Sequence, residues 1–342
     1  MSNSLNTSSL KMINADIAQR FRRLGMLTIV AIYIVILAGG IVRASGAGMG
    51  CPDWPTCFGQ WIPPTAESQL PANYHEIYAL GYENTTFNPL KTWTEYVNRL
   101  VGASTGLLVL LTAWRSRSYL KGDKAIFYLS LSVFFMIGFQ GWLGSAVVAS
   151  NLKPLMITLH MLLALMIVWL LIYAIARSQK TLLESISVTD LPPQFMTVFK
   201  VAMGLTLLQI AMGTQVREAI DFIAHEHSYI DRQYWREDFP ILFYVHRSFS
   251  SVILFTNTWL VWKLHQQHKA LPTGQQPTLL ILSGYGLMGL IVIAILAGVS
   301  LDRLGFPAVA QPIHLLMASL IFGAQAFLFI SLHYARHVRS IS

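Results

Sequence analysis

Charged residues are scarce in this chain: they make up 12% of its 342 residues, whereas 54% of the residues are hydrophobic. A soluble domain of this size could not bury so much apolar surface in one core, so the composition argues against a soluble protein. The long apolar runs also lack the alternation that a membrane β-barrel needs. The sequence therefore predicts an all-α membrane protein, because helices satisfy their own backbone polar groups in lipid.

Cysteine is nearly absent as well, with Cys51 and Cys57 as the only two. Two thiols without a nearby histidine fall short of the four ligands of a closed zinc site. The glycines and prolines around them predict an ordered loop outside the membrane, where oxidising conditions favour a disulfide. Such a bond could be a structural staple or a redox-active pair, and the spacing leaves both interpretations open.

Eight apolar runs are long enough to cross a bilayer, which takes about 20 residues. They lie near 24–43, 99–115, 125–149, 154–176, 196–216, 241–262, 276–299 and 313–334. Lysine and arginine concentrate before the first run and in every second loop, so we expect both termini to be cytoplasmic. This distribution explains the formal charge of +8, so the charge does not indicate a nucleic-acid partner. The spans and the charge distribution together predict a multi-pass protein in the lipid bilayer of a bacterial inner membrane.

Short motifs of the first half return in the second half. Residues 39–43 return as 213–217, residues 95–99 as 243–247, and His160 as His314, each histidine sixteen residues after a glycine. The repeat predicts two tandem four-helix bundles in the same orientation. Their bounds are 24–177 and 195–335, with a cytoplasmic tail at 1–23, a linker at 178–194 and a second tail at 336–342.

Three histidines are expected inside the spans, near the outer ends of their helices: His160, His246 and His314. A histidine within a membrane is costly unless it is paired or liganded, although a hydrogen bond between helices would also satisfy a single imidazole. The recurrence of His246 with His314 favours metal ligation, and two histidines on facing helices can clamp a haem iron. No carboxylate accompanies this pair, which argues against a di-iron site.

Four arginines recur at the outer ends of the predicted helices: Arg43, Arg99, Arg217 and Arg247. Arg43 corresponds to Arg217 and Arg99 to Arg247, so each half has two. Their guanidinium groups could hold the propionates of a haem. The alternative for each is extension of a long side chain to the membrane interface.

The halves differ at two of the repeated positions. Glu95 corresponds to Phe243, and Asn98 corresponds to His246. The first half therefore has a carboxylate, an asparagine and one histidine, whereas the second half has the complete ligand pair. This difference predicts catalysis in the first half and electron relay in the second. For Glu95, the alternative is an ion pair with Arg99, four residues further along the helix.

Several segments together resemble the haem A synthases, from the first predicted span to the last. They are Gly39–Arg43 running into Cys51–Cys57, Glu95–Tyr96, Gln140–Gly144, and the surroundings of His246 and His314. The resemblance implies an eight-helix enzyme that oxidises the C8 methyl group of haem O to the formyl group of haem A. It also implies a haem b cofactor between His246 and His314, and a substrate haem bound in the first half by a carboxylate and two histidines.

The sequence departs from the family at the start of the second span. The family motif is Glu-x-x-His-Arg, and here residues 95–99 read Glu-Tyr-Val-Asn-Arg. Asparagine is a poor iron ligand, so we expect His160 alone to ligate the iron of the substrate haem, with Glu95 and Asn98 as catalytic neighbours. A second cysteine pair of the family is absent from 217–240. The expected partners are a haem O synthase and an electron donor of unknown identity.

Two other classes of protein share some of these features. A membrane b-type cytochrome would explain the histidines, but it would leave Glu95 and the cysteine loop without a role. A transporter with parallel repeats would have broken helices with charged residues at the middle of the membrane, and the sequence has no convincing example. Haem O oxidation, which the resemblance implies, is therefore the interpretation that gives Glu95 and the cysteine loop a role as well as the histidines.

Overall fold

A computed structural model of the chain describes residues 15–79, 86–188, 191–227 and 235–337. Within these ranges most of the chain is helical, and the only β-type pairing is an isolated bridge between Cys57 and Gln60. The predicted all-α class is therefore confirmed. Of the predicted tails, residues 1–14 and 338–342 lie outside the described residues, whereas 15–23 belong to the first helix.

The described chain contains eight long helices, which we number in chain order. They are α1 (Ala15–Ala44), α2 (Pro89–Ser116), α3 (Lys124–Ala149), α4 (Pro154–Arg177), α5 (Phe195–Glu226), α6 (Ile241–Ala270), α7 (Thr278–Arg303) and α8 (Ala310–His337). Short helical segments lie at Glu67–Gln69, Tyr74–Ile77, Arg117–Lys121, Lys180–Glu184 and Trp235–Asp238.

Local sequence signals explain where several helices begin. Pro89 and Pro154 occupy the first turns of α2 and α4, where a missing N–H costs nothing and the fixed φ suits a helix. Asn88 and Asp123 cap α2 and α3 with side-chain oxygens that accept a backbone N–H, a function these two residue types perform well. Polar residues therefore mark helix starts that the hydropathy pattern alone does not resolve.

Seven helices of the described chain are long and apolar enough to cross a membrane. The chain is thus a multi-pass membrane protein, as predicted. The remaining long helix, α6, is not in this set, because polar side chains such as Asn257, Lys263 and His265 interrupt its apolar character. Its crossing of the membrane stays a prediction.

Helix α2 extends beyond the second predicted span. The apolar run near 99–115 lies within α2, which begins at Pro89. Its first turns carry Lys91, Glu95 and Arg99, and charged residues lower the hydropathy on which the prediction depended. Those turns pack against a loop, which explains their polarity.

The helices contact one another in two sets. Helix α1 packs against α2 and α4, and α3 packs against the same two; likewise α5 packs against α6 and α8, and α7 packs against the same two. Helix α8 also packs against α1 and α4, and α4 packs against α5. A buried apolar cluster joins Ile32 of α1, Val168 and Leu171 of α4, and Ala326 and Ile330 of α8. Helix α8 therefore lies at the centre of the molecule.

Candidate haem site

His246 of α6 and His314 of α8 face each other in the second half. The centroids of their rings are 6.3 Å apart and the ring planes are inclined by 74°. Both helices begin shortly before these residues, so the pair lies near one end of the α5–α8 set. The structure brings the two predicted ligands together.

Each of the three predicted histidines has a glycine opposite it on a neighbouring helix. A Cβ atom at Gly213 would lie 3.1 Å from Cε1 of His246, and one at Gly298 would lie 3.2 Å from Cε1 of His314. In the first half, a Cβ at Gly144 would lie 3.4 Å from Cε1 of His160. These glycines give the imidazoles room, which explains why a glycine precedes His160 and His314 at the same spacing.

Hydrogen bonds hold the histidines and leave ring nitrogens available. Nδ1 of His314 lies 2.8 Å from the carbonyl oxygen of Ala294. Side-chain amides of Gln209 and Gln140 donate to the carbonyl oxygens of His246 and His160, at 3.0 and 2.9 Å. Nδ1 of His160 and Nδ1 of His246 are buried and have no hydrogen-bond partner among the described residues.

A cavity of about 320 Å³ adjoins the histidine pair. His246 and His314 line it, together with Arg43, Arg217 and Arg247. Residues of α1 and α4 contribute to its wall, so the cavity reaches the boundary between the first four helices and the last four. Three of the four predicted arginines therefore lie with the histidine pair.

Acidic side chains balance these arginines. Asp221 accepts hydrogen bonds from Arg43 and from Arg217, the latter with Nη2 and Oδ1 2.8 Å apart. Arg247 lies 3.5 Å from Asp302. Because Arg43 belongs to α1 and Arg217 to α5, Asp221 links the two halves of the chain.

Glu95 and Arg99 form the ion pair that the sequence analysis gives as the alternative, with Nη2 and Oε1 2.6 Å apart. The other carboxylate oxygen of Glu95 accepts the backbone N–H of Cys51 at 2.7 Å. Glu95 is only 4% exposed. Both carboxylate oxygens are therefore directed to Arg99 and to the cysteine loop.

Arg99 holds the cysteine loop in place by donating hydrogen bonds to carbonyl groups of the loop. Its guanidinium donates to the carbonyl oxygens of Cys51, Asp53 and Thr56, at 2.8, 2.7 and 2.9 Å. Arg99 is therefore engaged with backbone oxygens and with Glu95. Neither Glu95 nor Arg99 lines the cavity beside the histidine pair.

Cys51 and Cys57 are joined in a disulfide, which confirms that prediction. Both cysteines are fully buried. Asp53 accepts hydrogen bonds from the backbone N–H groups of Phe58 and Gly59, at 2.5 and 2.9 Å, and closes the turn between the cysteines. The loop lies so close to α2 that a Cβ atom at Gly50 would be 2.5 Å from the carbonyl oxygen of Lys91, so only glycine fits there.

Asn98 lies where the repeat places His246 in the second half. Its side-chain oxygen is buried without a hydrogen-bond partner among the described residues. Gly39 corresponds to Gly213, and no atom of the described residues lies within 4 Å of a Cβ placed on it. The first half therefore has open space where the second half has an imidazole.

A model of a known family matches residues 22–326 of the chain, and its description is cytochrome oxidase assembly protein, COX15-CtaA. The chain belongs to the COX15-CtaA family. The match covers most of the chain and confirms the family to which the sequence motifs pointed.

Named relatives of this COX15-CtaA protein are similar to parts of it. A heme A synthase of Shewanella oneidensis is 32% identical over 184 residues, which is 53% of this chain and 53% of the relative. A heme A synthase of Shouchella clausii is 33% identical over 140 residues, 41% of this chain and 39% of the relative. A heme A synthase of Rickettsia canadensis is 26% identical over 206 residues, which is 55% of this chain and 59% of the relative. The chain thus spans about half the length of the curated relatives that it matches.

Three further side chains of this COX15-CtaA site were not predicted from the sequence: Gln140, Gln209 and Asp221. Gln140 lies in the motif 140–144, which pointed to the family but not to a contact with His160. Gln209 lies four residues before Gly213, one helical turn away, which is a signal that it shares a face with the glycine opposite His246. Asp221 lies four residues after Arg217, but no local pattern indicates that it also reaches Arg43.

Proposed function

We propose that the chain is a haem A synthase, which oxidises the C8 methyl group of haem O to a formyl group. The observation that carries the proposal is a set of three histidines that each lie opposite a glycine: His160, His246 and His314. At the fourth position of the repeat Asn98 replaces the histidine, and the space beside it is open. Membership of the COX15-CtaA family and the name shared by its relatives support the same activity.

The proposed enzyme crosses the membrane eight times, as two tandem four-helix bundles at 24–177 and 195–335 joined by the linker 178–194. The packing of α1–α4 in one closed set and α5–α8 in another supports this division. The charge distribution supports a bacterial inner membrane with both termini in the cytoplasm. The partners would be the bilayer, a haem O synthase and an electron donor.

The second bundle would hold a haem b cofactor between His246 and His314. The ring centres of His246 and His314 are 6.3 Å apart, which would leave room for one haem iron between the two imidazoles. The contact between Nδ1 of His314 and Ala294 leaves Nε2 for the metal, which is the usual orientation of a ligating histidine. A bis-histidine haem supplies electron transfer rather than oxygen chemistry.

Three arginines line the cavity and would hold the haem propionates of this half while sharing their guanidinium groups with Asp221 or Asp302: Arg43, Arg217 and Arg247. Arg99, which the sequence analysis grouped with them, donates instead to the cysteine loop. We therefore assign Arg99 to the substrate half, where it positions the cysteine loop beside the N-terminal turns of α2. A propionate contact of Arg99 would require it to give up one of its carbonyl partners.

The first bundle would bind substrate haem O, with His160 as the protein ligand to its iron. Gly144 leaves space for the ring of His160, and the buried Nδ1 of His160 has no hydrogen-bond partner in the part of the chain that the structure describes. Asn98 and Gly39 leave the other face open, which oxygen-activating haems require. Glu95 lies on α2 one turn before Asn98, and we propose that it accepts or delivers protons during oxidation of the methyl group.

The test is co-expression with a haem O synthase, followed by chromatography of the extracted haems. Accumulation of haem A is expected, and a matched strain carrying His160→Ala should retain haem O. A b-type cytochrome that leaves haem unmodified is the alternative. Untouched haem O in the presence of folded, haem-loaded protein would favour that alternative over the proposal.

A further inference from the structure

The cysteine loop has an exposed apolar edge. Its core is closed, since Cys51, Cys57 and Phe58 are at most 3% exposed. In contrast, Trp54 is 53% exposed and Trp61 and Ile62 are each 72% exposed. We name Trp54, Trp61 and Ile62 the loop edge. Large exposed apolar side chains grouped on one ordered loop indicate an interaction surface.

Hydrogen bonds from two side chains of α2 fix the position of the loop edge along that helix. Arg99 donates to the carbonyl oxygen of Asp53, the residue before Trp54. The hydroxyl of Tyr96 donates to the carbonyl oxygen of Trp61 itself. The loop edge therefore lies beside the second and third turns of α2 and does not project away from the helix ends.

That position corresponds to the membrane interface. Arg115 is the first basic residue at the opposite end of the apolar part of α2. The hydrocarbon core is about 30 Å thick and a helix rises 1.5 Å per residue, so about 20 residues cross it. Counting back from Arg115 puts the other boundary near Glu95, between Lys91 and Arg99. By this count Tyr96, and the backbone of Trp61 that it holds, are level with the boundary between headgroups and acyl chains.

The composition of the loop suits this location. Residues 54–66 contain no charged side chain, and tryptophan is the residue that most favours the membrane interface. A protein that exchanges thiols with the disulfide is a less fitting occupant, because both cysteines are fully buried behind the loop edge. The observations favour lipid.

We propose that the loop edge inserts into the bilayer at the headgroup–acyl boundary beside the N-terminal end of α2. Insertion anchors the disulfide loop to the membrane as well as to Arg99 and Glu95. The proposal depends on the loop geometry and not on haem A formation, so it stands or fails separately from the proposed enzymatic activity.

The test uses the full-length protein in lipid nanodiscs with a single introduced cysteine. Because Cys51 and Cys57 are disulfide-bonded, an environment-sensitive fluorophore should react only with the new thiol of Ile62→Cys. The matched control is Ser68→Cys, which is also exposed and lies in the polar segment Glu67–Gln69 of the same connection. Phospholipids that carry a quencher near the headgroup end of the acyl chain report contact with the bilayer.

The expected result is a blue-shifted emission and strong quenching at position 62, with neither at position 68. Equal, weak quenching at both positions would overturn the proposal. Protection of position 62 in native membranes but not in lipid-only nanodiscs would show a protein partner and would also overturn it. If Ile62→Cys does not fold, the same lipids should quench less intrinsic fluorescence in a Trp54→Phe, Trp61→Phe variant than in the parent, and no change would refute insertion.

Discussion

The two halves of the chain have the same framework around their histidines but fill it differently. In the second half, Gly213 accommodates His246. At the equivalent place in the first half, Gly39 faces open space and Asn98 replaces the histidine. Among the described residues, no side chain approaches Gly39 in the place of the imidazole. This difference is the basis of the proposal that the second half closes both faces of a haem and the first half leaves one face accessible.

The outer ends of the two halves differ as well. Glu95 and Arg99 hold a disulfide loop over the first half through an ion pair and backbone hydrogen bonds. The equivalent of Glu95 is Phe243, which packs with Ile220, Trp235 and Phe239 in a buried apolar cluster. A polar, directional cap therefore covers the proposed substrate half, and an apolar cap covers the proposed cofactor half.

The largest expected effect comes from removing a ligand of the second half. His246→Met or His314→Met should abolish the low-spin bis-histidine spectrum, because methionine cannot reproduce two imidazole ligands. Optical and electron paramagnetic resonance spectra of the purified protein measure this. His268→Met, on the same helix α6, is the control and should leave the spectrum unchanged. Wild-type spectra for both ligand variants would refute the assignment.

The open face of the first half gives the second prediction. Asn98→His should place an imidazole in the space beside Gly39 and convert the substrate haem from a form with one protein ligand to a six-coordinate form. Carbon monoxide binding to the reduced, haem O-loaded protein measures the change, since a second ligand blocks access. Unaltered carbon monoxide binding in the variant would mean that Asn98 does not face the iron.

The carboxylate of the first half gives the third prediction. Glu95→Gln preserves the shape and an acceptor for the N–H of Cys51 but removes the ionisable group, so haem A formation should fall by about 100-fold if proton transfer limits the rate. The haem spectrum of His246 and His314 should stay intact. Haem chromatography after co-expression with a haem O synthase measures the loss.

The comparison variant for Glu95 is Arg99→Lys, which keeps the charge but cannot reproduce the fork of hydrogen bonds to the loop. If this variant loses as much activity as Glu95→Gln, and both expose the cysteines to alkylation after mild reduction, Glu95 acts by positioning the loop. Normal turnover in Glu95→Gln would remove Glu95 from the reaction altogether.

The smallest expected effect tests the glycines themselves. Gly213→Ala would bring a methyl group to 3.1 Å from His246, whereas Gly39→Ala meets no atom within 4 Å. Overpacking of this kind costs about 1 to 3 kcal/mol, or roughly 5- to 150-fold in haem affinity. Haem retention during purification and the midpoint potential of the cofactor measure it. Equal haem retention and equal midpoint potentials in the two alanine variants would contradict the inference that Gly213 contacts a histidine ligand and Gly39 does not.

Much of the fold was predictable because it depends on local chemistry. The apolar runs predicted membrane helices, since lipid leaves the backbone no other hydrogen-bond partner. The histidine–glycine spacing predicted a repeat, and His246 and His314 do face each other. The apolar run of α2 did not show that the helix extends back to Pro89, because Lys91, Glu95 and Arg99 make its first turns polar. A hydropathy average treats each side chain alone, so it cannot show that two charged side chains are paired and buried.

The sequence by itself determined the helical class, the membrane environment, the disulfide and the family, because these follow from composition, spacing and short motifs. Only the tertiary structure decided the roles available to the charged groups. Arg43 and Arg99 look alike at their helix ends, yet Arg43 meets Asp221 across the two halves and Arg99 meets the carbonyl groups of the cysteine loop. The difference arises because a guanidinium pairs with whichever acceptors packing brings within about 3 Å, and residues distant in the sequence supply them.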